Sequence, residues 1–426
     1  MSNVRATRLG LVLGGVLLLA LSGLFHRPLV ERRKELSPDV ILPEEAHPLV
    51  SITTVAFGGF RGLVADALWI RASKMMERGQ YFELVQLAKW ITQLQPRTPE
   101  VWAFNAYNLA YNVSALFPDG EDRWRWVRHG ISMVRDEGLV YNPRSPALYW
   151  ELGWYFQHKM VFRGDSKRQT YIDNWARIVD EAIIREDGLV SAGTTFEDLR
   201  MDLEHMRDLE AQYGPINWRV PHAHSLYWAS KGLPYAEDFD VIRLRRMVAN
   251  SMLSLMIGGI ELPPGPEAVN PGRTITRPQI HLIPKLRVLY EQMVEDRPNV
   301  SSYKRALDNF LQHSIILLFT HGEIDEARSL FTRRSKLPET DPDSDPYFDR
   351  LIMILIDMHD PGNFTKERLD AYLVGLHSYA QRQALRGNRE RARFYEELST
   401  SVRTRWNEVN AAKKSLPLMM LPPSTH

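Results

Sequence analysis

The sequence predicts an all-α protein, an N-terminal transmembrane helix followed by an α-solenoid of helix pairs. Two observations carry this. A single uncharged run stands near the start, and behind it apolar residues recur at helical spacing, with glycine or proline falling between the runs. The chain has 426 residues, 44% hydrophobic and 25% charged. That is enough to bury a large core and too long for one ordinary compact domain unless the domain is built from repeated units.

The uncharged run is Leu9 to Phe25, bounded by Arg5 and Arg8 before it and by His26 and Arg27 after it. At about 1.5 Å per residue it reaches roughly 26 Å, close to the hydrocarbon thickness of a bilayer. Residues 1–28 are therefore assigned as a membrane anchor. The competing assignment is a cleaved signal peptide, with Ala20 and Ser22 as the small residues before a cut at Gly23. Arg27, Arg32, Arg33 and Lys34 on the distal flank argue for a cytoplasmic body by positive-inside counting. The absence of cysteine from so long a chain argues the other way, for an oxidising compartment. The short N-terminal tail with two arginines fits a signal anchor, which favours a single-pass protein with an extracytoplasmic, periplasmic body.

Residues 29–52 are polar and proline-punctuated, a stalk. Residues 53–187 hold the first helical repeats, entered through Phe57-Gly58-Gly59-Phe60-Arg61-Gly62. No lysine-serine or lysine-threonine pair follows those glycines, so they read as a tight helix entry and not as a phosphate loop. The first unit runs from about Ala65 to Pro96 with Gly79 and Tyr81 at its turn, and the second from about Pro99 to Pro143 with Trp102 leading. The third starts at Pro146, carries Tyr149, Leu152, Gly153 and Phe156, and has a second helix around Trp175 to Ile184. Residues 188–300 depart from the pattern, with an acidic amphipathic helix around Phe196 to Tyr213 and a proline-rich loop from Leu262 to Pro284. Residues 301–415 return to it through Gly322, Ala327 and Phe331, then Gly387, Ala392 and Tyr395, and residues 416–426 form a tail.

These copies resemble tetratricopeptide repeats, in which glycine sits at the inter-helix turn and each unit buries its apolar face only against a neighbour. The resemblance implies a stacked helical scaffold whose groove holds a protein or peptide. Phe57-Gly58-Gly59-Phe60-Arg61-Gly62-Leu63 together with Trp218-Arg219-Val220-Pro221-His222-Ala223-His224-Ser225-Leu226-Tyr227-Trp228-Ala229 is also similar to a group of bacterial membrane-anchored repeat proteins of unsettled function. It implies an architecture and no chemistry.

Composition removes several classes of function. Lys and Arg number 53 against 52 Asp and Glu, so no basic field favours nucleic acid. Without cysteine there are no disulfides, thiolate metal sites or thiol nucleophiles. A nucleophile elbow, a Walker lysine loop, a His-Glu-x-x-His helix and a Rossmann fingerprint are all missing. Asp341, Asp343 and Asp345 alternate like the start of a calcium loop, but Pro346 and Ile352 stand where a glycine and a bidentate glutamate belong. Acidic pairs such as Glu186 with Asp187 read as ordinary charges at the end of a repeat.

Two constellations remain. Asn105, Asn108 and Asn112 fall at about 300°, 240° and 280° on a helical wheel with Trp102 at 0°. They form one polar stripe, either an inter-helix hydrogen-bond network or a clamp for the backbone of an extended peptide. Trp218, Arg219, His222 and Tyr227 supply rigid aromatic area and directed donors for a second recognition pocket. His222 and His224 are the candidate metal ligands. Pro221 is placed to open a helix, which would separate the two by about 200°, so no metal or other cofactor is expected. The functional expectation is a membrane-anchored scaffold that binds a protein or peptide in an envelope-associated complex, with no enzymatic role. The alternatives are a metal-dependent or carboxylate-based enzyme centred on His222 and His224, and a purely structural envelope subunit.

Overall fold

The computed structural model describes residues 61–162, 164–262, 275–335, 364 and 366–414. Among them the chain is mostly helical, with fourteen α-helices and two small hairpins. The expected anchor, the stalk, the alternating aspartates at 341–345 and the tail 416–426 lie outside the described residues. Among the described residues no helix is long and apolar enough to cross a membrane. The chain divides into two compact units, one of residues 1–175 and 231–240 and the other of 176–230 and 241–426.

The first unit is built from consecutive helices joined by short turns. Helix α1 (Arg61–Glu77) packs on α2 (Tyr81–Leu94), and α2 on α3 (Pro99–Tyr107). Helix α4 (Gly120–Ser132) packs on α3, and α5 (Pro146–Trp154) contacts α3 as well. Helix α6 (Arg168–Ala182) follows. Proline opens α3 and α5 at the position where its missing N–H costs nothing. Asp119 caps α4, accepting hydrogen bonds from the N–H of Glu121 at 2.8 Å and Asp122 at 3.2 Å. The core includes Ala72, Leu84, Leu87, Ile91 and Val101.

Three of these helices widen into π-helical turns. Asn108–Val113 extends α3, Met133–Gly138 extends α4, and Tyr155–Lys159 extends α5. The helices α3 and α4 also come close, since a Cβ built at Gly130 would lie 2.8 Å from the Ala106 carbonyl oxygen and 3.1 Å from the Ala110 Cβ. Gly153 is buried within α5.

In the second unit, α6 does not run on to Ile184 as the sequence suggested. It stops at Ala182, and the chain forms a hairpin of β1 (Ile183–Glu186) and β2 (Leu189–Ala192). Asp187 (φ 51°) and Gly188 (φ 80°) make the turn, both in the left-handed region that a tight two-residue hairpin requires. The β-branched Ile183 and Ile184 suit the strand better than a helix end. The acidic helix is also shorter than expected. Phe196–Leu199 is a 3₁₀ turn, Arg200 adopts φ 51°, and α7 (Leu203–Tyr213) begins only after an Asp202 cap.

Helix α8 (Pro221–Gly232) starts at its proline as anticipated, and α9 (Asp238–Gly258) follows. The proline-rich stretch expected as a loop is instead closed at its base by a second hairpin, β3 (Ile260–Leu262) with β4 (Ile275–Arg277). It ends early, because α10 (Ile283–Asp296) already begins at Ile283. Helices α11 (Ser301–His321), α12 (Ile324–Ser335), α13 (Lys366–Leu385) and α14 (Arg389–Lys414) complete the chain. Helix α11 packs on α12 and α13, and α13 on α14.

One turn recurs three times at the glycines singled out in the sequence. Gly79, Gly322 and Gly387 have φ of 69°, 81° and 82°. In each case the following residue donates its N–H to the carbonyl five residues back: Gln80 to Met75 at 2.9 Å, Glu323 to Leu318 at 3.0 Å, and Asn388 to Gln383 at 2.9 Å. This is the Schellman closure, which glycine permits because it has no Cβ to clash in the left-handed region.

Candidate functional site

Two of the three asparagines of the stripe are interior, and Asn112 is half-buried. Asn105 and Asn108 are 0% and 1% exposed, and the Asn112 Nδ2 donates to Asn108 Oδ1 at 3.1 Å. Neither amide atom of Asn105 has a hydrogen-bond partner among the described residues. Trp102 is buried too, donating Nε1–H to the Pro96 carbonyl at 2.8 Å and stacking on Tyr141. An open peptide clamp that uses Asn105 and Asn108 is thereby corrected. Neighbouring helices cover Asn105 and Asn108, and the stripe runs into a π-helical turn where a regular 100° wheel no longer holds.

Beside this stripe lies a buried polar cluster. The Asp165 carboxylate accepts from Lys159 Nζ at 3.1 Å, Tyr171 Oη at 2.9 Å, Arg123 Nη1 at 3.2 Å and the Lys167 N–H at 3.0 Å. Burial pushes its pKa up, but the Lys159 charge and these hydrogen bonds hold it below the ordinary value. Burial lowers Lys159, against the pull of Asp165. Its ammonium sits 5.2 Å from the Tyr111 ring centre and 5.5 Å from that of Tyr171. The Tyr111 hydroxyl meets His158 Nδ1 at 3.0 Å. Burial and then the Glu151 charge hold Tyr111 and Tyr155 well above the tyrosine range. Lys159 and Asp165 have side chains only 7% exposed and satisfy each other, so the cluster reads as the internal frame of the first unit.

Trp218 and Arg219 stand elsewhere, in the second unit. They line a cleft of about 250 Å3 between the end of α6 with β1 and the loop 214–220 that leads into α8. Its floor is apolar, with Val179, Ile216 and Trp218 buried and Ile183 half-buried. Glu210 on α7 fixes the loop from behind. It accepts from Arg185 Nη2 at 2.5 Å and Nη1 at 3.2 Å, from Trp218 Nε1 at 2.9 Å and from the Ile216 N–H at 3.1 Å. Arg185 Nη2 also donates to the Ile216 carbonyl at 2.7 Å, which ties the hairpin to the loop. At the rim Arg219 Nε meets Asp180 at 3.0 Å, and both side chains are about half exposed, 47% and 49%. Such a pair contributes little stability, about 0–1 kcal/mol, and can exchange partners readily.

The other two residues of the expected pocket do not line this cleft. Tyr227 is 1% exposed and its hydroxyl accepts the Asp202 N–H at 2.6 Å, while His222 is half-buried on the first turn of α8. His224 is fully buried with Nε2 2.8 Å from the Trp218 carbonyl, which holds the loop against α8. The two histidines lie two residues apart on one helix, where their side chains diverge. Among the described residues no three His, Asp or Glu side chains converge as a metal site.

Sequence reasoning missed Asp180, Arg185 and Glu210. Arg185 and Glu210 are 25 residues apart, and no local spacing announces their pairing. Comparison with protein-family models, with curated proteins and with solved structures returns no match.

Proposed function

We propose that this chain is a membrane-anchored helical scaffold that binds a protein partner through the Trp218–Arg219 cleft. The observation that supports this is the cleft itself: an apolar floor large enough for one bulky side chain, braced by Glu210, with an exchangeable ion pair at the rim. A cavity of about 150 Å3 already accepts benzene, so about 250 Å3 suits an aromatic or branched aliphatic anchor. Rigid Trp and Arg are the residue types that dominate interface energetics. The rest of the chain then serves as frame and tether, with Leu9–Phe25 as the tether.

The test uses charge. Arg219→Glu should abolish co-purification of the partner from gently solubilised membranes. The swap Arg219→Glu with Asp180→Arg restores the ion pair but not the orientation of its charges, so the partner should stay lost. Recovery of the partner in the swap would make the pair structural and remove the cleft reading.

A further inference from the structure

The hairpin that walls the cleft has one open edge. A two-residue turn makes Glu186 and Leu189 a hydrogen-bonded pair, and the antiparallel alternation makes Ile184 and Ser191 the next. Ile183 and Arg185 therefore turn their outward backbone groups away from β2. On the opposite edge the outward carbonyl of Val190 is taken by Arg207 Nε at 3.0 Å. No such hydrogen bond reaches the Arg185 N–H or carbonyl among the described residues. Ile183 and Arg185 are also the strand residues that line the cleft. On the hairpin's other face Ile184 and Leu189 are 39% and 59% exposed, apolar side chains standing in water beside the same edge.

We infer that the β1 edge takes an extended segment of the partner protein as a third strand, with one apolar side chain of that segment seated in the cleft. This rests on the cleft being the partner site, and it adds how the partner is held. Main-chain hydrogen bonds to Arg185 give affinity, and the alternate side chains of the added strand give selectivity. One side chain enters the space above Val179, Ile216 and Trp218, and its neighbours cover Ile184. An acidic residue two positions from the anchor, on the same face of the added strand, meets Arg219, whose present partner Asp180 is half exposed. An open edge of this kind is a liability that proteins usually cover, and an added strand covers it.

The experiment selects dodecapeptides from a random phage-displayed library on the full-length chain in detergent micelles. Hits are then measured by fluorescence anisotropy. Four variants are compared: the parent, Ile183→Trp, which fills the cleft, Arg185→Ala, which removes the side chain alone, and Arg185→Pro, which also removes the outward N–H. Proline is tolerated at an edge position whose N–H points outward. Circular dichroism confirms that each variant folds, and N-methylation of alternate peptide residues tests the same bonds from the other side. Strand addition predicts hits that weaken about 3- to 10-fold more with Arg185→Pro than with Arg185→Ala, and by a similar factor on N-methylation in one register only. Hits lost to Ile183→Trp but indifferent to N-methylation and to proline would overturn strand addition and leave the cleft reading standing. If no hit distinguishes the parent from Ile183→Trp, both fall.

Discussion

Replacing Gly130 by valine tests the spacing of α3 and α4, on which the packing of the first unit depends. A Cβ at this position lies 2.8 Å from the Ala106 carbonyl oxygen and 3.1 Å from the Ala110 Cβ. The first contact is to backbone, so no side chain can rotate out of the way, and the helices must separate by several tenths of an ångström. Overpacking of this kind costs about 1–3 kcal/mol. Valine is a slightly better helix former than glycine, which returns only a few tenths of a kcal/mol. The expected net loss is therefore about 1–3 kcal/mol, a fall of roughly 3–10 °C in the melting transition of a unit this size. Differential scanning calorimetry of the full chain reads it. Gly258→Ala is the control, since its Cβ meets nothing within 4 Å, and it should hold or raise the melting temperature. A Gly130→Val protein that melts with the parent would refute the close approach of the two helices.

Asn105→Leu should stabilise the chain by about 1–3 kcal/mol, because it removes a fully buried amide with no partner among the described residues; a lower urea midpoint would show that the amide is satisfied. Asp165→Asn should destabilise by about 3–5 kcal/mol, because it leaves Lys159 buried beside a neutral group. The folded pKa of Asp165 is held below the ordinary aspartate value, so its contribution is complete above that ordinary value and is lost as pH falls through the lower folded pKa. Acid unfolding followed by circular dichroism should accordingly steepen below the ordinary aspartate range in the parent and lose that component in Asp165→Asn. Deleting residues 1–27 should release the body from membranes without lowering its melting temperature, as fractionation and calorimetry would show; a truncated chain that still pellets in high salt would place a second membrane surface elsewhere.

The elements legible in the sequence were those set by local chemistry. Pro99, Pro146 and Pro221 open helices, and Gly79, Gly322 and Gly387 close them, because each acts within a few residues of itself. The first hairpin was legible and was misread. Asp187-Gly188 between Ile183-Ile184 and Leu189-Val190 is a two-residue turn signal, yet the acidic pair Glu186 and Asp187 read as charges ending a repeat. The asparagine stripe was correctly placed on one helix but assigned a possible groove, because periodicity shows which residues share a face and not what covers it. The cleft was half legible. Trp218 and Arg219 stand out as residue types, whereas Arg185 and Glu210 meet only through the fold.

Site-directed photo-crosslinking at the cleft shows whether a partner sits there. A benzoylphenylalanine at Asn217, which lines the cleft, is compared with one at the exposed Glu396 on α14, each in the parent and in Ile183→Trp. A partner seated in the cleft gives one adduct from position 217 in intact membranes, lost when tryptophan fills the cleft, and no such adduct from position 396. An adduct at 217 that survives Ile183→Trp unchanged, or a partner captured only from 396, would contradict it.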